Sequence, residues 1–195
     1  TFYVQASAGA GCSAIDSITV YVETKPSVQT ITDTIICAGD PLILTSSSNG
    51  DNNQWNNGTV LSNSNSLSPA FTGTSSSQLI LTATNTTGCF SKDTVNVTVN
   101  PIPILNTTPD TSFCGSAQLQ LNATGANSYA WSPIQYVSNP SISNPVFSAT
   151  IPGLITMYVI ATSANGCKTK DSVQININAI PTVNTIGNTS VCAGN

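Results

Sequence analysis

The chain has 195 residues, of which four are Lys and eight are acidic, with no His and no Arg, for a net charge of −4. That composition excludes most His-dependent acid–base, triad and zinc chemistry. It also excludes the clustered basic surface that nucleic acid requires. Thr, Ser and Asn contribute 27, 26 and 21 residues in place of charge, while 39% of the chain is hydrophobic. A β-rich fold with an uncharged polar surface and an apolar core follows, and a structural or adhesive role fits it better than an enzymatic one.

In chain order, residues 1–24 read as the last two strands of a repeat. They hold Gly11-Cys12, then Asp16 and the alternating Ile18, Val20 and Val22. From Lys25-Pro26 a short apolar stretch leads to Cys37-Ala38-Gly39. Leu42 and Leu44 then alternate, Trp55 is central, Gln78–Thr84 is an apolar strand, and a turn ends in Gly88-Cys89. Asp93 opens a final strand in which Val95, Val97 and Val99 alternate with Thr94, Asn96 and Thr98. Period-two alternation of β-branched residues marks strands with one buried face.

Residues 102–179 repeat the scheme. Cys114-Gly115 is followed by Leu119 and Leu121, Trp131, the strand Thr156–Thr162, Gly166-Cys167, and Asp171 before Val173, Ile175 and Ile177. Residues 180–195 start the scheme again, with Pro181 and Cys192-Ala193-Gly194. Cys37, Cys114 and Cys192 are spaced by 77 and 78, and so are Cys12, Cys89 and Cys167. Chance does not align cysteines, acids, prolines and tryptophans on one period. The expected domains are 1–24 (the C-terminal part of a repeat), 25–101 and 102–179 (complete repeats) and 180–195 (the start of the next). No signal-peptide pattern opens the chain, so it is expected to be a window on a longer array.

About 77 residues, some seven short strands and a central Trp predict an all-β immunoglobulin-like sandwich, repeated in tandem along an extended rod. Trp55, Trp131, Val95, Val97, Val99, Val173, Ile175 and Ile177 are the expected core. A sugar-stacking role is the alternative for the two tryptophans.

The pattern running from Cys37-Ala38-Gly39-Asp40-Pro41 through Trp55 to Thr87-Gly88-Cys89 and Asp93-Thr94-Val95 resembles the tandem Ig-like or PKD-like repeats of giant secreted Bacteroidota proteins. Gliding-motility adhesins and other type IX secretion cargo are examples. The resemblance implies a cell-surface, extracellular, structural or adhesive filament. Its implied partners are neighbouring repeats, like chains, and a surface or polysaccharide ligand. No enzyme activity, cofactor, metal, nucleic acid or membrane span is expected. A carbohydrate-binding module array and a short self-assembling subunit are the alternative functions. Exposed aromatics repeated on one strand face would favour the array.

Six cysteines without His or C-x-x-C point to disulfides rather than zinc. Two pairings compete, with free thiols as a third reading. One is within domains, Cys37–Cys89 and Cys114–Cys167. The other is between domains, Cys37–Cys167, with Cys12, Cys89, Cys114 and Cys192 bonded to units beyond the window. In an Ig sandwich the two turns that hold the cysteines of one repeat lie at opposite ends, which favours the second.

Asp followed by Ser or Thr and then an apolar residue resembles the Bacteroidota O-glycosylation motif. It offers Ser17, Thr34, Thr94 and Ser172, with Thr111 a weaker candidate. The simpler reading is that the Asp organises the turn before a strand. Asp51-Asn52-Asn53 reads as a turn, its single carboxylate being thin for Ca²⁺.

Overall fold

A computed structural model describes residues 1–185 and 187. The strands are β1 (Phe2–Ala8), β2 (Cys12–Ile18), β3 (Val28–Gln29), β4 (Thr34–Cys37), β5 (Leu42–Ile43), β6 (Ser47–Ser48), β7 (Asn52–Trp55), β8 (Ala70–Phe71), β9 (Ser77–Thr84) and β10 (Phe90–Asn100) in the first compact unit, Thr1–Asn100. The second unit, Pro101–Asn195, holds β11 (Asn106–Thr107), β12 (Thr111–Cys114), β13 (Ala117–Gln120), β14 (Ala123–Thr124), β15 (Ser128–Ser132), β16 (Val146–Ala149), β17 (Gly153–Thr162) and β18 (Lys168–Asn178).

In the first unit one sheet runs β4-β10-β9-β7, with β4 parallel to β10 and the other pairs antiparallel. The opposing layer is made of the short pairs β3–β6 and β5–β8. The chain thus starts in one layer at β3 and crosses to the other at β4. The second unit repeats the plan as β12-β18-β17-β15 against β11–β14 and β13–β16. The chain is a tandem of immunoglobulin-like sandwiches.

Inner faces follow the sequence alternation. Leu79, Leu81, Val95 and Val97 are buried with Leu44, Trp55 and Phe71. Met157, Val159, Val173 and Ile175 are buried with Leu121, Trp131 and Phe147 at the matching positions of the second unit. Each indole is 2% exposed and donates Nε1–H at 3.0 Å to a loop carbonyl eleven residues on, Ser66 for Trp55 and Ile142 for Trp131. The tryptophans are core residues, and their one polar atom is satisfied inside the core.

Val99 departs from expectation. It is half-buried, whereas its counterpart Ile177 is fully buried. The cause is strand length. β17 begins at Gly153, directly opposite Ile177, while β9 begins two rows later, at Ser77 opposite Val97. The Val99 N–H is met by the Ser76 hydroxyl instead of a strand.

β1 and β2 form a hairpin in the register of the two later hairpins. Asp16 faces Val4 as Asp93 faces Leu81 and Asp171 faces Val159. Its equivalent apolar face is not buried, however. Phe2, Val4 and Ile18 are each about two-thirds exposed, and Val20 and Val22 lie beyond β2 and are exposed as well.

The turn of each complete hairpin needs glycine. Gly88 has φ +86° and donates to the Asn85 carbonyl, while the Asn85 N–H donates to that of Cys89. Gly166 does the same with Ser163 and Cys167. A β-carbon at that φ would be strained.

Candidate functional site

The recurring acids hold the crossover between layers. In the first unit Asp93 Oδ2 accepts both the Thr30 N–H (2.8 Å) and its hydroxyl (3.0 Å), and Oδ1 accepts the Thr94 N–H (2.9 Å). Three residues after Thr30, Asp33 Oδ1 accepts the Asn96 N–H (2.8 Å) and Oδ2 accepts Asn96 Nδ2 (2.9 Å). The parallel ladder of β4 and β10 starts at the next pair, Thr34 opposite Val97. A carboxylate therefore completes the β10 ladder where the crossing chain has no carbonyl to offer. Both carboxyls are held below the ordinary Asp value. For Asp33 the Asn96 backbone N–H and then its side chain are the causes. For Asp93 they are chiefly the backbone N–H groups of Thr30 and Thr94.

The second unit repeats the device. The Thr107 hydroxyl donates to Asp171 Oδ2 (2.6 Å), the Ser172 N–H to Asp171 Oδ1 (2.8 Å) and the Gln174 N–H to Asp110 Oδ1 (2.7 Å). This long-range role was not read from the sequence. The available signal was the recurrence of Thr30 with Asp33 and Asp93 as Thr107 with Asp110 and Asp171.

Four of the five O-glycosylation candidates follow these same acids, and Ser17 follows their equivalent Asp16. Ser17, Thr94 and Ser172 are exposed and follow an Asp whose Oδ1 accepts their own N–H. Thr34 and Thr111 are half-buried at the first parallel pairs.

Cys37 and Cys167 are each in disulfide linkage, whereas Cys12, Cys89 and Cys114 are free thiols. Cys192 lies outside the described residues. The pairings Cys37–Cys89 and Cys114–Cys167 therefore do not form, and the register explains why. Cys37 lies opposite Asn100 at the end of β10, while Cys89 immediately precedes the start of β10. Eleven extended residues separate the two by roughly 35 Å, and a disulfide needs Cα atoms within about 7 Å. Cys114, opposite Asn178, and Cys167, just before Lys168, stand in the same relation.

A groove of about 1140 Å³ lies on the outer face of β7, β9 and β10 in the first unit. Its floor is two cross-strand rows, Asn52–Thr84–Phe90 and Gln54–Thr82–Lys92. The segment after β7, including Asn56, Asn57 and Asn65, lines its side. Asn52 and Asn53 thus belong to a strand rather than the expected turn, and Asp51 alone stays at the turn, its Oδ2 accepting the Thr86 N–H. Asn53 turns inward, where its Nδ2 donates to the Gly50 carbonyl. The Tyr129 hydroxyl serves Ala126 in the same way in the second unit. Lys92 Nζ stands 5.6 Å from the centre of the Phe90 ring, and Lys170 Nζ 4.1 Å from that of Tyr158. No group of three His, Cys, Asp or Glu able to hold a metal occurs among the described residues. No helix among them is long and apolar enough to cross a membrane.

No family model and no curated protein matches the sequence. Among solved structures the chain is similar to DIP-gamma IG1+IG2, at 13% identity over 80% of this chain and 98% of that one, with a TM-score of 0.37. It is also similar to the insect immune protein hemolin, at 15% identity over 89% of this chain and 54% of that one, TM-score 0.45. A third is an ice-binding adhesin of an Antarctic bacterium, at 12% identity over 94% of this chain and 57% of that one, TM-score 0.39. At these identities the likeness concerns the fold and says nothing of what the chain binds.

Proposed function

We propose that the chain is a structural and adhesive segment of an extracellular cell-surface fibre, of the gliding-motility adhesin type that its sequence resembles, exported by the type IX route. The observation that carries this reading is the repetition of one hairpin three times. Its register is unchanged, with the same acid in the same row. A fold that reproduces itself every 77 or 78 residues is a building unit whose stability adds unit by unit. The repeats we assign are 1–24, 25–101, 102–179 and 180–195, joined by short Pro-bearing segments that limit the backbone more than a Gly/Ser linker would. No catalysis is assigned to them.

We assign the oxidised cysteines to one another, as a Cys37–Cys167 bond between neighbouring repeats. Two facts support the assignment: both are in disulfide linkage, and their partners within a unit, Cys89 and Cys114, are free thiols out of reach along the strand. Cys12, Cys89 and Cys114 occupy the equivalent positions and would make the same link to further repeats. Such bonds place the fibre in an oxidising compartment. Ser17, Thr94 and Ser172 are the proposed sugar carriers, on an outer face that has few charges to keep it soluble.

Immunoblotting of surface protein from the source cells tests the reading. A band of hundreds of kilodaltons on intact cells, accessible to added protease, is expected. A free intracellular chain near 20.1 kDa would overturn it.

A further inference from the structure

The two complete units share a backbone but not an outer face. Where the first unit has Asn52, Gln54 and Asn56 along β7 and just after it, the second has Ser128, Ala130 and Ser132 in the same register. Where the first has Thr82 beside Lys92, the second has Ile160 beside Lys170. The sandwich therefore does not require these amides, because the second unit forms without them.

The amides are also uncommitted. The side chains of Asn52, Gln54 and Asn65 make no hydrogen bond among the described residues. Asn56 uses its oxygen on the Ile80 N–H (2.7 Å) and Asn57 uses its oxygen on the Thr59 hydroxyl (3.0 Å), so both keep their NH₂ donors. Each free amide presents a donor and an acceptor side by side, the complement of two adjacent hydroxyls on one ring. Phe90, half-exposed at the end of the floor, adds an apolar face for ring C–H groups. A lone Lys92 and a lone Asp51 leave the groove close to neutral. Its volume of about 1140 Å³ exceeds the ~300–1,000 Å³ of common small-ligand sites, so several linked rings fit better than one.

We propose that this groove binds a neutral oligosaccharide. The site belongs to one unit and is not repeated along the array, since Phe90 corresponds to Lys168 and Tyr158 to Ile80. It is independent of the fibre reading, which stands or falls on chain length and surface exposure.

The test is NMR on the isotope-labelled full chain, with cellohexaose, mannohexaose and chitohexaose as probes and an uncharged Gly-Ser peptide as comparator. At least one hexasaccharide is expected to shift the side-chain amide signals of Asn52, Gln54 and Asn65, with a Kd on the order of 1 mM or tighter. The double variant Gln54→Ala/Asn65→Ala is expected to weaken that binding about tenfold, one modest hydrogen bond for each side chain. The signals of Leu81, Val95 and the second unit should stay in place, since all the changed groups are exposed. Unmoved amides with all three sugars, equal binding by the double variant, or a stronger response to the peptide would each overturn the proposal.

Discussion

Trp131→Phe is the sharpest probe of the second sandwich. The indole is 2% exposed and its Nε1–H is the donor seen by the Ile142 carbonyl at 3.0 Å. A phenyl ring fills most of the site but leaves that carbonyl with no side-chain donor, a loss of about 1–3 kcal/mol. The missing part of the indole removes about 1 kcal/mol more of apolar burial. With a urea slope of about 1.5 kcal/mol/M, a total near 3 kcal/mol lowers the midpoint by about 2 M. Backbone amide signals of Val159, Val173 and Ile175, followed by NMR through a urea series, report this unit directly. Ile134→Ala is the control. That residue is 65% exposed, and a surface truncation of this kind changes stability by no more than about 0.5 kcal/mol. A shift under about 0.5 M for Trp131→Phe would refute the core assignment and return the residue to a surface, sugar-stacking role.

Three further outcomes are expected. Asp93 has a folded-state value depressed below 3.8, so its contribution is present above about pH 4 and is lost as pH falls through the folded value. Asp93→Asn should weaken the first unit by about 1 kcal/mol at pH 7, a figure kept low because solvent screens the carboxylate, and thermal melts of variant and parent should converge near pH 2; a constant difference across pH would contradict the assignment. Gly125→Ala should prevent the second unit from folding by circular dichroism and NMR dispersion, because its β-carbon would collide with the Ile104 carbonyl oxygen at φ +106°; a native spectrum would count against that turn. Non-reducing mapping with chymotrypsin and trypsin, which cut between successive cysteines at aromatic residues and, after Cys167, at Lys168, should recover one cross-linked pair joining Cys37 to Cys167 and alkylated Cys89 and Cys114, whereas a Cys37–Cys89 cross-link would remove the proposed link between repeats.

The sandwich was legible because its signals are local and repeated. Alternation at Val95 and Val97 names the buried face without reference to any partner, and the paired Trp positions name the core. Val99 does pack against the core, but only half-buried, because alternation records which face a residue points to, not whether the neighbouring strand is long enough to cover it. That depended on where β9 begins, and nothing in the sequence near Val99 reports it. Of the two readings of the Asp-Thr motif, sugar attachment and turn organiser, the second is half visible in the bond from Asp93 to its own following N–H. The other half, to Thr30, spans 63 residues. The groove could not be seen at all, since Asn52 and Gln54 meet Thr84 and Thr82, and through them Phe90 and Lys92, only by strand pairing.

Scarcity of charge acquires a specific meaning from the crossover. N–H groups at the point where the chain changes layers are met best by an acceptor that carries no donor of its own. Asn would present NH₂ as readily as oxygen, and Ser has one oxygen where two separate N–H groups must be met. A carboxylate has two acceptor oxygens and no competing proton above its pKa. Asp93 uses both oxygens on different chain segments, and Asp33, Asp110 and Asp171 each take a donor more than 60 residues away. Four of the eight acids therefore accept hydrogen bonds across the layer crossing, three from a backbone N–H and Asp171 from the Thr107 hydroxyl, a task that requires no cation. The rest of the surface is free to be neutral, and in the first unit that neutrality leaves amides facing solvent instead of ion pairs.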